Sequence, residues 1–76
     1  PVPSKPGANF NIYVKLNEPS EIMVLIFNTG GTLITQLRNP DQLKTATFTT
    51  SIPVPGIYII KVLTAEGEFS KSIIIQ

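Results

Sequence analysis

The last third of the chain places the strongest constraint on its fold, because it contains two apolar runs rich in β-branched residues. The first run is IYIIKVLT at residues 57–64, and the second is EFSKSIII at residues 68–75. Side chains branched at Cβ favour extended backbone, and Gly67 in the short loop between the runs tolerates the positive φ of a tight turn. The pattern predicts a closing β-hairpin whose second strand runs almost to Gln76.

The rest of the chain shows further short runs with strand character and no helical periodicity. Apolar alternation or continuous apolar sequence predicts strands at residues 9–16, 21–27, 32–37 and 45–50. Turn signals separate these runs, and Gly30 and Gly31 suit a tight hairpin turn that needs positive φ values. Strands and turns at this spacing predict an all-β fold, a small immunoglobulin-like antiparallel β-sandwich of six to seven strands.

The N-terminal residues 1–8 contain three prolines and one glycine, a composition that favours an extended spacer. We interpret this segment as a Pro-rich linker or a loosely attached first strand, and residues 9–76 as the β-sandwich domain. The chain begins at Pro1 without the pattern of a signal peptide. It is therefore expected to be a piece of a longer precursor, with any export signal upstream.

Composition narrows the classes of function. Six Lys or Arg and five acidic residues give a formal net charge of +1, and the charges are scattered along the 76 residues. Nucleic-acid binding requires a basic patch or stripe, so no nucleic-acid partner is expected. The longest apolar run, residues 22–27, is much shorter than the roughly 20 residues that span a bilayer. With no cysteine, disulfides and thiol chemistry are excluded.

Residues suited to catalysis or metal binding are sparse. The chain has no His and no Cys, and Glu66 and Glu68 lie at a solvated turn without a partner that would activate them. Asn39 and Asp41 suit an Asx turn better than a calcium site, which needs about six oxygen ligands. We therefore expect a domain that is not an enzyme, with no cofactor and no metal site.

The aromatic residues leave a carbohydrate-binding interpretation open. Strand alternation turns Phe10 and Phe48 inward, so a sugar-stacking platform would use Tyr13 together with Tyr58 or Phe27. The alternative for Tyr58 is a core position in which its hydroxyl caps a corner, as in the tyrosine corner of β-sandwiches.

Both faces of the closing hairpin are apolar, although natural edge strands usually carry charge or proline. Lys71 is the only charged residue in the interior of the last strand. Two interpretations follow. The hairpin is either central and covered on both sides, or it presents a surface and an edge to a partner. The second interpretation includes a homodimer formed through edge strands.

Three segments occur in an order and at a spacing that are typical of one family. They are IFNTGGTLI at residues 26–34, PGIYIIKV at residues 55–62 and KSIIIQ at residues 71–76. They are similar to the first Gly-turn hairpin, the Gly-x-Tyr strand and the terminal strand of the C-terminal sorting domains of the bacterial type IX secretion system. The resemblance runs from Phe10 to Gln76, although Gln76 replaces the usual basic residue near the last position.

The resemblance implies a non-catalytic sandwich domain at the end of an exported protein. An outer-membrane translocon would recognise the domain, and a sortase-like protease would then separate it from the upstream cargo domain. The expected location is the periplasm in transit, followed by the outer-membrane surface or the medium. On the matching positions, the recognised hairpin would comprise Gly56, Tyr58, Lys61, Lys71, Ile73, Ile74 and Ile75. Gly31 would have a structural role in the fold and would not be part of the recognised hairpin.

Two other classes of domain share this strand pattern: an immunoglobulin-like accessory or adhesion domain, and a carbohydrate-binding module of an exported protein. A sorting domain is expected to end its precursor at Gln76, whereas an accessory domain can be followed by more chain. A carbohydrate-binding module predicts coplanar exposed aromatic rings and measurable affinity for glycans.

Overall fold

The computed structural model describes residues 5–76, which form one antiparallel β-sheet of four strands. The strands are β1 (Phe10–Asn28), β2 (Leu33–Thr50), β3 (Gly56–Thr64) and β4 (Gly67–Ile75). Their order across the sheet is β2-β1-β3-β4, so β1 and β3 are central and β2 and β4 are edges. The prediction of an all-β antiparallel fold is confirmed. Within residues 5–76 no helix has the length and apolar character to cross a membrane.

The number of strands differs from the predicted six to seven, because two predicted turns lie inside long strands. Residues 17–20 and 39–41 are extended parts of β1 and β2. The register of the two strands shifts between Lys15 and Ser20 and again before Ile22. A straight strand of 19 residues would be about 60 Å long, whereas the longest dimension of the molecule is 34 Å, so the two strands bend. A bulge of this kind bends a strand without reversing it. Buried positions stay even-numbered on both sides of the bend in β1, so the chain keeps one inward face.

The bend brings the first half of the β1–β2 hairpin over β3 and β4. β1 pairs with β3 only from Met23 to Asn28. The earlier part of β1 instead lies across a groove from the inner face of the sheet, and Phe10 and Ile12 line that groove together with Val62.

The core lies between these two parts of the bent sheet. Ile22, Val24 and Ile26, in the part of β1 that is paired on both sides, are fully buried. The other buried hydrophobic residues are Val14, Leu16, Ala46, Ile52, Tyr58, Ile73 and Ile75. Every strand therefore contributes to one core, and Ile73 and Ile75 of β4 are part of it.

The turn between β1 and β2 is closed by Asn28. Its backbone N–H donates to the carbonyl of Thr32 at 3.0 Å, and its side-chain Oδ1 accepts from the N–H of Thr32 at 2.9 Å. Gly31 has a φ of 87°, whereas Gly30 has no positive φ. The positive φ of this turn therefore falls on one of the two predicted glycines.

Two local predictions remain, the Asx turn at Asn39 and the N-terminal linker. Although Asn39 and Asp41 lie within β2, they make a local hydrogen bond. The N–H of Asp41 donates to Oδ1 of Asn39 at 3.1 Å, the hydrogen bond that an Asx turn requires. At the N-terminus, the N–H of Gly7 donates to the carbonyl of Ile52 at 2.9 Å. Residues 1–4 of the predicted linker lie outside the described residues.

Candidate functional site

The candidate site is the closing hairpin, defined here as β3 and β4. β3 pairs with β1 on one side and with β4 on the other, whereas β4 pairs only with β3 among the described residues. Of the two interpretations of the doubly apolar hairpin, full cover on both sides does not hold, because Ile57 and Ile59 on the outer face of the central strand β3 are exposed. β4 has a free backbone edge among the described residues, as the second interpretation expects.

The inner face of the closing hairpin belongs to the core. Tyr58, Ile73 and Ile75 are buried, and Tyr58 lies directly opposite Ile73 in the strand pairing. Three of the seven predicted recognition residues are thus covered by the domain itself. Their contribution is to hold β4 in place on β3.

Tyr58 also fixes the corner that leads into β3. Its hydroxyl donates to the backbone carbonyl of Val54 at 2.7 Å, the kind of contact expected of a corner-capping tyrosine. Gly56, opposite Ile75, has a φ of 154°, a conformation that side chains rarely adopt. A Cβ at Gly56 would lie 3.6 Å from the Tyr58 ring, which is an ordinary contact. Glycine is therefore needed at this corner for its backbone and not for lack of space.

The outer face of the closing hairpin is apolar and exposed. Ile57 and Ile74 face each other across the two strands and are 53% and 45% exposed. Ile59 is 38% exposed and lies beside Phe27 of β1. We call Ile57, Ile59 and Ile74 the outer isoleucine patch. Of the predicted recognition residues, Ile74 is the isoleucine that reaches solvent.

Lys61 borders the outer isoleucine patch. Its Nζ forms an ion pair with Oε1 of Glu68 at 2.9 Å and lies 6.0 Å from the centre of the Phe27 ring. Both ion-pair partners are about half exposed, so the pair contributes little to stability. It does orient the lysine across the outer face of the sheet.

Lys71 lies on the other side of the hairpin. It is opposite Ile60, on the inner face, yet it is exposed because it stands at the rim of the groove beneath the first half of β1. The structure therefore separates the two predicted lysines, with Lys61 on the outer face and Lys71 on the inner side.

The tip of the closing hairpin is attached to the bend of β1. Oε2 of Glu66 accepts hydrogen bonds from the backbone N–H groups of Asn17 and Glu18, both at 2.8 Å. The N–H of Ala65 donates to Oγ of the buried Ser20 at 2.9 Å. Gly67 has a φ of 133° and allows the chain to turn into β4. Glu66 thus has a structural task at the hairpin tip.

Sequence reasoning did not select Ile57, Ile59, Phe69 or Glu66 as functional. Alternation placed Ile57 and Ile59 on one face of β3, but it could not tell which face the rest of the chain would cover. Phe69 is 50% exposed because the first half of β1 does not cover it fully. The partners of Glu66 lie 48 and 49 residues away, so no local pattern marks them.

The aromatic platform considered for sugar binding is not assembled as predicted. Tyr13 is 68% exposed, whereas Tyr58 is buried and Phe27 is only partly accessible on the outer face of the sheet. Among residues 5–76 no group of three or more acidic, His or Cys side chains is arranged to hold a metal ion.

The arrangement thus offers an apolar outer face and a free strand edge at the end of the domain. Comparison with protein families identifies what kind of domain this is. The family model described as the secretion system C-terminal sorting domain matches residues 1–76. The chain belongs to this type IX sorting-domain family. No curated protein and no solved structure matches the chain significantly.

Membership gives the closing hairpin a context. A type IX sorting domain is a secretion signal carried by an exported protein, and such domains are generally not catalysts. The sorting domain described here has β4 at one edge of the sheet that residues 5–76 form.

Proposed function

We propose that this sorting domain directs an attached cargo protein across the outer membrane through the type IX translocon, and that the outer face of its closing hairpin is the surface that is recognised. The family match over residues 1–76 carries the first part of the proposal. The exposed Ile57–Ile74 pair supports the second part, because the fold of the domain leaves about half of each side chain accessible to solvent.

Binding at this face would remove apolar surface from water. Burial of apolar surface stabilises a complex by roughly 25 cal/mol per Å², so a partner gains most where isoleucines are already presented together. Contiguous exposed apolar residues on a small domain mark an interaction surface more often than isolated ones. Lys61, held by Glu68 beside the patch, supplies a polar rim that would orient the partner.

The parts of the proposal that concern cleavage and cellular location are based on membership of the family. A sortase-like protease separates the domain from the cargo after transport, and the cargo passes from the periplasm to the outer-membrane surface or the medium. The bend of the β1–β2 hairpin supports the immunoglobulin-like sandwich interpretation, since it stacks part of the sheet over β3 and β4. The free edge of β4 also supports a homodimer by edge pairing, which sedimentation of the purified chain would test.

Export of a reporter tests the proposed function. A folded reporter carrying a signal peptide is placed before residues 1–76 and expressed in a bacterium with an active type IX system. We expect the reporter at the cell surface or in the medium. In a strain that lacks the translocon, we expect the same fusion to stay in the periplasm.

Deletion of residues 72–76 provides a loss-of-signal variant, since it removes the end of β4 with the core residues Ile73 and Ile75 and leaves the cargo unchanged. The truncated fusion is expected to accumulate in the periplasm. Surface delivery of the full fusion in the strain without the translocon would contradict the proposal, and so would unchanged delivery of the truncated fusion.

A further inference from the structure

The first half of β1 has a free edge within the described residues. Residues 10–15 pair with β2 on one side, and β1 pairs with β3 only from Met23 onward. The bent part of the sheet therefore places two strands above the inner face of β3 and β4, and no strand from residues 5–76 lies on the other side of β1 there.

The space beside this edge is a trough. One cavity of about 370 Å³ lies between the start of β1 and the inner face of the closing hairpin, and a second of about 210 Å³ continues along β1 as far as Leu16. The two cavities share Tyr13, Val62 and Phe69. The trough thus follows residues 10–16, which at about 3.3 Å per residue corresponds to the length of a short strand.

The trough has apolar walls and a positive rim. Tyr13 and Phe69 are large aromatic residues that are 68% and 50% exposed. Lys15 and Lys71 also line the trough, and none of the described residues that line it is acidic. An occupant that complements these walls is apolar along one face and carries carboxylates.

We propose that the trough is a strand-addition site for an extended segment of a partner polypeptide with alternating apolar and acidic side chains. The incoming strand pairs with the free edge of β1 at residues 10–16. Its apolar side chains cover Val62 and Phe69, and its carboxylates lie near Lys15 and Lys71.

An extended polypeptide fits this site better than a compact ligand for two reasons. A strand edge binds through main-chain hydrogen bonds, whereas pockets beside the edge select alternate side chains. The trough provides both, because its cavities run parallel to the unpaired part of β1. The site is on the inner side of the closing hairpin, so the proposal does not depend on recognition of the outer isoleucine patch.

Binding of defined peptides to the purified 76-residue chain tests the proposal. The probe is a fluorescent synthetic peptide of about nine residues in which valines alternate with glutamates and threonines. One control peptide carries lysines in place of the glutamates, and another carries a central proline that prevents strand pairing. We expect saturable anisotropy changes with the glutamate peptide, affinity about three- to tenfold weaker with the lysine peptide, and no binding of the proline peptide.

Variants of the chain locate the site. Phe69→Ser is expected to weaken binding of the glutamate peptide about tenfold, whereas Leu33→Ser, at a comparably exposed position far from the trough, leaves it unchanged. In the double variant Lys15→Glu and Lys71→Glu, the lysine peptide is expected to bind more tightly than the glutamate peptide. Circular dichroism confirms that each variant is folded. Slower amide exchange at Asn11, Tyr13 and Lys15 is expected when the peptide is bound.

Several results would overturn the proposal. Absence of binding, equal binding of all three peptides, or an unchanged charge preference in the double variant would each do so. Slower amide exchange confined to residues 67–75 would assign the peptide to the edge of β4 instead. Self-association that Phe69→Ser abolishes, without peptide binding, would make a second copy of the chain the occupant. Each of these results is independent of reporter export, which tests the proposed function separately.

Discussion

The two neighbouring glycines in the turn between β1 and β2 have different backbone conformations. Gly31 has a φ of 87°, and no heavy atom would lie within 4 Å of a Cβ added there, while Gly30 has an ordinary φ. Conformational strain and not crowding therefore makes glycine necessary at residue 31. The sequence pair GG marks the turn, but it does not tell which glycine carries the unusual conformation.

We expect Gly31→Ala to lower the free energy of unfolding by about 1–2 kcal/mol, because alanine is strained at this φ. Gly30→Ala is the matched control and is expected to change it by less than about 1 kcal/mol. Gly30 has no positive φ, although an added Cβ would lie 3.4 Å from Oδ1 of Asn28. Urea unfolding followed by circular dichroism measures both. Equal effects of the two substitutions would contradict this assignment.

Glu66 and Glu68 lie in the same hairpin but have different structural roles. Glu66 accepts two backbone hydrogen bonds from the bend of β1, whereas Glu68 forms an exposed ion pair with Lys61. We expect Glu66→Ala to cost about 1–2 kcal/mol of stability and Glu68→Ala about 0.5 kcal/mol or less. Urea midpoints of the two variants provide the comparison. A larger loss for Glu68→Ala would disprove the link between the hairpin tip and the bend.

At the scale of the strands, the sequence predicts the closing hairpin well and the first hairpin only in part. The runs at residues 57–64 and 68–75 agree with β3 and β4 within one residue at each end. Residues 17–20 contain Asn and Pro, which serve equally in a turn and in a bulge. Whether the chain reverses there depends on its pairing with β2, more than twenty residues away in sequence.

The same limit applies to the candidate site. Alternation separates Ile73 and Ile75 from Ile74, but local sequence does not show which face the bent hairpin will cover. That choice depends on the stacking of β1 over the inner face, a contact between distant parts of the chain. The segments of the site were therefore predictable, whereas the division into buried and exposed residues was not.

The outer isoleucine patch gives a prediction at this scale. The double variant Ile57→Thr and Ile74→Thr keeps β-branched side chains but lowers the apolar area on the outer face. We expect about fivefold less surface-exposed reporter in the export assay, as a loss of about 1 kcal/mol of partner binding implies. Circular dichroism is expected to show an unchanged fold, because both positions are about half exposed.

The matched control for this variant is Leu33→Thr with Ile34→Thr on the opposite edge strand. These side chains are 46% and 41% exposed, close to the values for the patch. Export of the control is expected to equal that of the parent fusion. Equal losses in both double variants would show that export depends on general surface hydrophobicity and not on the closing hairpin.

For the molecule as a whole, stability depends on a small core without covalent support. The chain has no cysteine, and the ten buried hydrophobic residues found among residues 5–76 come from the strands and from Ile52 in one loop. A domain of this length buries only about 60% of the surface of its unfolded chain. Single core substitutions are therefore expected to remove a large fraction of the domain's free energy of unfolding.

Ile26→Ala tests this dependence. Ile26 is fully buried in the central strand, and its truncation is expected to cost about 3 kcal/mol. Ile34→Ala, the same change at an exposed position, is expected to cost less than about 1 kcal/mol. Thermal unfolding of the two variants measures the difference. Similar melting temperatures would mean that the core is less tightly packed than the burial of Ile26 implies.

The three consecutive isoleucines at the end of β4 make its alignment on β3 only weakly selective. If β4 slid by one residue, Ile74 would enter the core, and the second core position would receive Ser72 or Gln76. One misplaced polar side chain is then the main local penalty for a wrong alignment. The two-residue turn between Thr64 and Gly67 therefore decides which isoleucine faces solvent, and the contact of Glu66 with β1 holds that turn against the bend.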